Sequence, residues 1–148
     1  MKSLGLLVLR LVLGGIFAAH GYPKLFGGQG ESEKLSDGTK SALGEGFVEQ
    51  VEQGGVSATA GMMESLGLPN AKAAGWALAL VEFVGGIALI FGFKTRPMAL
   101  ALAFSQAVAI NKVHATEGLV GGYEYNIALI GGTAALAIAG PGKIALDR

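Results

Sequence analysis

Two ionisable residues of opposite charge lie in otherwise apolar stretches of this sequence. Arg10 stands in the window 3–19 and Glu82 in the window 73–93, and neither window holds another charge. A charge within an apolar helix is costly unless it is paired or faces water. A helix rises ~1.5 Å per residue, so the depths of Arg10 and Glu82 in the membrane differ by less than the length of an arginine side chain. We therefore predict an ion pair between them. The pair is either structural or functional, and Gln106 is placed to join it.

A second polar group lies where the apolar stretches end, and we name it the outer-mouth cluster. Histidines from two helices can ligate a metal or a haem, hydrogen-bond a quinone carbonyl, or make ordinary interfacial hydrogen bonds. All three interpretations are open at this point. The prediction carried forward is a quinone or partner contact, with no metal site and no cofactor held by the chain itself. Its members are His20, Lys24, Asn111, His114 and Glu124.

Composition narrows the function classes. The chain has 148 residues, of which 51% are hydrophobic and 15% charged, whereas soluble domains carry about 25% charged residues. Eleven basic and eleven acidic residues balance, so no net field attracts nucleic acid and we expect no nucleic-acid partner. With zero Cys the chain cannot form a disulfide, an iron–sulfur cluster or a thiolate metal site. Redox chemistry here requires groups supplied from outside the chain.

Four apolar segments are candidates for membrane crossing. Each approaches the ~20 residues that a helix needs to cross the hydrocarbon core, and none shows the regular polar stripe of a soluble bundle. We therefore predict an all-α fold, an integral membrane four-helix bundle that forms a single membrane domain over 1–148. The spans are about 3–20, 71–93, 97–114 and 124–140, with a long outer loop over 21–70.

Glycine pairs occur inside three of these segments. They are Gly14-Gly15, Gly85-Gly86 and Gly131-Gly132. Small residues let membrane helices approach closely and pack by van der Waals contact. The pairs favour a tight bundle.

The charges of the connecting segments predict the topology. Positive residues are enriched in cytoplasmic loops, and the short connections and termini carry mainly basic residues. We therefore predict an N-in/C-in, multi-pass protein of the cytoplasmic membrane. These basic residues are Lys2, Lys94, Arg96, Lys143 and Arg148.

The long outer loop is not uniformly polar. Apolar residues around 47–51 and 56–66 predict two short amphipathic helices, whereas 29–41 is polar and rich in turn residues. Such helices can lie on the membrane surface, cap the bundle or dock a partner. The sequence does not distinguish these roles.

Several motifs, in order along the chain, resemble the DoxX family of small bacterial and archaeal membrane proteins. The resemblance covers nearly the whole chain outside 29–55. The matching stretches are Leu9-Arg10-Leu11, His20 through Gly27, Leu66 through Pro69, Glu82 through Gly86, Gly92 through Arg96, Gly121 through Glu124, and Gly140-Pro141-Gly142 through Asp147.

The resemblance implies a four-helix inner-membrane protein in which Arg10, His20, Lys24 and Glu82 occupy the family's polar positions. The family name derives from a subunit of a thiosulfate:quinone oxidoreductase. This implies an accessory subunit of a quinone-linked redox or respiratory complex, with the lipid bilayer and other subunits, or further copies of itself, as partners. Two alternatives stay open: a small transporter or permeability protein, and a non-catalytic assembly or scaffold subunit. Whether the chain has catalysis of its own is left open.

Overall fold

The computed structural model describes residues 1–147, which form helices and turns with no strand among them. Arg148, predicted as an inner basic residue, lies outside the described residues. In chain order the helices are α1 (Lys2–Phe26), α2 (Asp37–Leu43), α3 (Glu45–Glu52), α4 (Val56–Ser65), α5 (Ala71–Phe91), α6 (Thr95–Ala109) and α7 (Glu124–Ala139). The all-α prediction is confirmed for this part of the chain.

Two of the helices are long and apolar enough to cross a membrane. They are α1, with 25 residues, and α5, with 21. Helix α6 has 15 residues, and its helical backbone continues through a π-helical turn at Ile110–His114. Helix α7 has 16 residues and ends at Gly140, whose φ of 79° suits glycine and stops the helix.

Helix α1 is longer than the predicted span, which ended near residue 20. Pro23 lies inside its last turns, where the ring removes one N–H but the helix is about to end. The Pro23 carbonyl accepts hydrogen bonds from the N–H groups of Gly27 (3.0 Å) and Gly55 (2.8 Å). Lys24 therefore belongs to a helix and not to a loop.

The segment between α1 and α5 is more helical than the sequence predicts. The two expected short helices are present as α3 and α4, but α2 and a 3-10 turn at Glu31–Lys34 occupy the stretch predicted as turns. The Ser36 hydroxyl accepts a hydrogen bond from the Thr39 N–H at 3.1 Å and so caps α2. The Glu52 carboxylate holds the 3-10 turn by accepting from the N–H of Gly30 at 2.8 Å and the hydroxyl of Ser32 at 2.7 Å.

The chain forms two compact units. Unit 1 contains residues 1–17 and 84–147, and unit 2 contains residues 18–83. In unit 1, α1 meets the end of α5 at Gly14, where an added Cβ would lie 2.6 Å from the Gly86 carbonyl oxygen. The core side chains of this unit include Leu13, Leu89, Leu102 and Leu136.

Unit 2 repeats this kind of close approach. A Cβ on Gly21 would collide with the backbone of Phe83, and one on Gly75 would lie 2.8 Å from the Ala60 nitrogen. Rings of α1, α3 and α5 gather beside the first contact, with centroids 5.1 Å apart for Phe26 and Phe83 and 5.9 Å apart for Tyr22 and Phe47. These contacts fix the end of α1 against the first half of α5.

Candidate functional site: the Lys24–Glu82 pair

An ion pair joins α1 to α5 within unit 2. The Lys24 Nζ lies 2.5 Å from the Glu82 Oε2 and also donates to the main-chain carbonyl of His20 at 3.1 Å. Glu82 is buried, with 6% of its surface exposed. We call these three residues the Lys24–Glu82 site.

The local backbone explains why these side chains meet. Helical side chains point back toward the N-terminus, which directs the Lys24 stem along α1 toward His20, one turn earlier. Gly21 lies in the same turn and lets the α1 backbone approach that of α5 at Phe83, directly beside Glu82. A larger residue at position 21 would separate the helices and lengthen the ion pair.

The pair leaves hydrogen-bonding capacity unused. A carboxylate has two acceptor oxygens and an ammonium three donors. Among the described residues, Glu82 receives a hydrogen bond only at Oε2, and Lys24 donates only to Glu82 and His20. The His20 residue is exposed. The site therefore offers one free acceptor, one free donor and a neighbouring imidazole.

The predicted partnership of Arg10 with Glu82 is wrong, because each charge has a different partner. Glu82 pairs with Lys24, while the Arg10 Nη2 donates to the carbonyl oxygen of Ile144. Gln106 does not join either charge. Its Oε1 accepts from the Asn126 Nδ2 at 2.8 Å, between α6 and α7.

The three remaining members of the outer-mouth cluster belong to unit 1, and two of them bond to near neighbours. The His114 Nδ1 lies 2.7 Å from the Glu117 Oε2, and the Glu124 Oε1 accepts from the Gly121 N–H at 3.0 Å. Asn111 is exposed. The structure thus joins Lys24 to both Glu82 and the His20 carbonyl, and places His114 and Glu124 in local arrangements of their own.

Sequence reasoning missed two side-chain contacts. It ended the first helix before Lys24, so that residue was not considered as a partner of Glu82. It also gave no role to Asp147, whose carboxylate accepts from the N–H groups of Thr95 and Lys94, each at 2.8 Å. These hydrogen bonds, with Thr95 first, hold the pKa of Asp147 below its usual value. The proximity of Asp147 to this turn has no local signal in the sequence.

No group of three or more His, Asp or Glu side chains within residues 1–147 is arranged to hold a metal ion. The Lys24–Glu82 site is instead an arrangement of hydrogen-bonding groups. Two apolar helices have the length that a membrane crossing requires, and a charge in such a helix is paired, as Glu82 is with Lys24.

The comparisons with known proteins agree with the membrane features of the chain. The DoxX family profile matches residues 5–115, which is most of the chain, and the chain belongs to the DoxX family. No solved structure gives a significant match to it.

Three curated relatives are similar to the chain. Inner membrane protein YqjF of Escherichia coli (strain K12) is 37% identical over 102 residues, covering 64% of this chain and 73% of that protein. The Bacillus subtilis (strain 168) protein named "Putative oxidoreductase CatD" is 28% identical over 145 residues, covering 98% of this chain and 86% of that protein. Inner membrane protein YphA of Escherichia coli (strain K12) is 28% identical over 151 residues, covering 97% of this chain and 88% of that protein.

Proposed function

We propose that the chain is a four-helix protein of the cytoplasmic membrane that serves as an accessory subunit of a quinone-linked redox complex. Its quinone contact is the Lys24–Glu82 site. The unused donor and acceptor of the buried pair carry this proposal. They are the groups that a quinone and its reduced form require.

The chemistry of the site suits both forms of such a ligand. A quinone carbonyl accepts a hydrogen bond, which the free Lys24 N–H can donate. A quinol hydroxyl donates one, which the free Glu82 oxygen can accept. The exposed His20 residue adds an imidazole beside the pair, which can donate or accept one further hydrogen bond to the same ligand.

The accessory role follows from what the chain contains. With zero Cys it has no thiolate to hold an iron–sulfur cluster or to form a disulfide. Electrons for a quinone therefore come from another subunit in this proposal. A relative whose printed name contains the word oxidoreductase supports this direction.

The proposed N-in/C-in bundle has α1, α5, α6 with its π-helical turn, and α7 as its four crossings. Apolar side chains on α6 and α7 support contact with lipid, since Leu100, Phe104 and Ile138 are 60%, 71% and 79% exposed. Leu100 and Phe104 lie four residues apart and so share one face of α6, and a contiguous apolar face is unfavourable in water. Both termini and the turn between α5 and α6 then lie in the cytoplasm.

The test is purification of the full-length protein from its own membranes in a gentle detergent, followed by identification of bound proteins and extractable quinone. We expect a redox subunit and quinone to copurify with the wild type. Glu82→Gln should retain the redox subunit but lose most of the quinone. Glu64→Gln removes an exposed carboxylate from α4 and should retain both. Wild-type protein that carries neither quinone nor a redox subunit would refute the proposal.

A further inference from the structure

Arg10 is fully buried in unit 1, with 0% of its surface exposed. Its Nη2 donates to the Ile144 carbonyl, while its Nε and Nη1 have no acceptor among residues 1–147. A buried charge with unpaired donors is unfavourable. Such a group in a native protein calls for a water, an ion or a ligand.

The guanidinium lies beside the turn that leads into α6. Gly92 has a φ of 66°, and a Cβ at this position would collide with the Arg10 Nη1. Thr95, the first residue of α6, is also 0% exposed, and its hydroxyl has no hydrogen-bond partner among the described residues. Two buried side chains with unused donors therefore lie at the start of one helix.

The start of α6 already holds one anionic group. The positive end of a helix macrodipole and its free N–H groups attract anions. Here the Asp147 carboxylate occupies that position, with one oxygen on the Lys94 N–H and the other on the Thr95 N–H, each at 2.8 Å. Both carboxylate oxygens thus accept hydrogen bonds from α6. The Arg10 Nε and Nη1 and the Thr95 hydroxyl still have no hydrogen-bond partner among the described residues.

We propose that this place, formed by Arg10, Thr95 and the Lys94 N–H and named the α6 anion site, binds a phosphate-type oxyanion in exchange with the Asp147 carboxylate. A carboxylate brings two oxygens, whereas a phosphate group brings three or four. The larger anion can keep the two helix N–H bonds and also accept from the guanidinium and the hydroxyl. Arginine is well suited to phosphate because its donors are fixed in one plane.

Exchange is feasible because the segment over the site lies at the surface. Residues 143–147 form no regular helix, and Ile144 and Leu146 are 54% and 67% exposed. Besides the bonds of Arg10 to the Ile144 carbonyl and of the Asp147 carboxylate to α6, two main-chain hydrogen bonds hold the segment to the turn. They join the Leu146 N–H to the Phe91 carbonyl (3.1 Å) and the Asp147 N–H to the Gly92 carbonyl (2.8 Å). The anion replaces the two carboxylate bonds when it enters.

The same chemistry can come from free phosphate or from a phospholipid headgroup, and the experiment separates them. Full-length protein in a neutral detergent is titrated with inorganic phosphate by calorimetry. The same protein in phosphatidylcholine bilayers is then titrated with phosphatidylglycerol, with bound lipid measured by native mass spectrometry. Binding in the first arm identifies free phosphate, and binding in the second alone identifies the headgroup.

Variants test the assignment of residues. Asp147→Asn removes the competing charge and should tighten binding about tenfold, while Thr95→Val should weaken it about tenfold through loss of one hydrogen bond to an anion. Arg10→Gln should abolish binding. Lys112→Gln removes one exposed positive charge from the π-helical turn and should leave the affinity unchanged.

If neither probe binds the wild type or Asp147→Asn, the proposal fails. It also fails if Thr95→Val binds as tightly as the wild type, because this variant tests the site without removing a charge. Equal weakening by Lys112→Gln and Arg10→Gln would show nonspecific attraction and would likewise refute it. None of these results bears on the quinone contact, which lies in unit 2.

Discussion

At the scale of single residues, the buried ion pair is the feature that most needs an explanation. Glu82 is almost enclosed, whereas the Lys24 side chain keeps 24% of its surface exposed. Desolvation of two charges offsets much of their attraction, so such a pair adds little to stability compared with apolar residues. Removal of one partner is different, because it leaves the other charge buried alone.

This difference predicts a double-mutant result. Lys24→Met and Glu82→Leu should each lower stability by about 3 kcal/mol, while the double variant should recover most of the loss. The measurement is thermal unfolding of the full-length protein in one detergent. Additive losses in the double variant would show that the two side chains do not interact.

The residue types of the site were predictable from sequence, but their pairing was not. Lys24, His20 and Glu82 stand out as polar groups in or beside apolar stretches. The pairing depended on where the first helix ends, and the predicted span ended near residue 20, whereas α1 continues to Phe26. One tertiary hydrogen bond, from the Gly55 N–H to the Pro23 carbonyl, lies in these last turns, and no local pattern reports it.

At the scale of helices, the glycines that permit close packing can be told from those that do not. A Cβ on Gly14 would lie 2.6 Å from the Gly86 carbonyl oxygen, whereas one on Gly15 would meet nothing within 4 Å. Both belong to a glycine pair that the sequence could only treat as a unit. The structure assigns the packing role to one member.

We therefore expect opposite effects from two neighbouring substitutions. Gly14→Ala should destabilise the protein by about 1–3 kcal/mol through overpacking of α1 against α5. Gly15→Ala should be neutral or stabilising by up to ~1 kcal/mol, since alanine is the better helix former. Melting temperatures of the two variants check this, and equal effects would contradict the helix contact.

The segment between α1 and α5 carries a pH-dependent contact. The hydrogen bonds that Glu52 accepts, first from the Gly30 N–H and then from Ser32, lower the pKa of this carboxyl from its ordinary 4.5. A folded pKa below the unfolded one gives stability that is fully present above the unfolded pKa and is lost as pH falls through the folded pKa. The 3-10 turn at Glu31–Lys34 is the element held this way.

Glu52→Gln should therefore loosen the 3-10 turn at pH 7 and have little effect once the wild-type carboxyl is protonated. The measurement is amide hydrogen exchange of residues 28–34, corrected for the intrinsic pH dependence of exchange. Glu49→Gln is the matched control, since among residues 1–147 its carboxylate accepts a hydrogen bond only from Gln53, the residue that follows α3, at 3.0 Å. A pH-independent difference between Glu52→Gln and the wild type would argue against the carboxylate contact.

At the scale of the whole chain, the proposed topology can be tested by labelling single introduced cysteines. The sequence has zero Cys, so no native thiol reacts with the label. Single cysteines at 2, 94 and 143 should react with a membrane-impermeant maleimide only after permeabilisation. Cysteines at 34 and 117 should react from outside intact cells. Reaction of position 94 from outside would contradict the N-in/C-in bundle.

Much of the overall organisation was predictable because lipid imposes a strong pattern on sequence. Apolar stretches located the helices now seen as α1, α5, α6 and α7, and amphipathic periodicity located α3 and α4. Helix α2 was missed because its residues are polar and its cap, Ser36, resembles a turn residue. The contact of Asp147 with the start of α6 was missed because it joins distant parts of the chain.

The central claim is that the Lys24–Glu82 site contacts a quinone. The most direct measurement is equilibrium binding of a short-chain menaquinone analogue to the purified full-length protein. Binding is monitored by tryptophan fluorescence or calorimetry. We predict saturable binding by the wild type, about tenfold weaker binding by Glu82→Gln, and unchanged binding by Glu64→Gln. Equal affinity of the wild type and Glu82→Gln, or no saturable binding at all, would contradict the account.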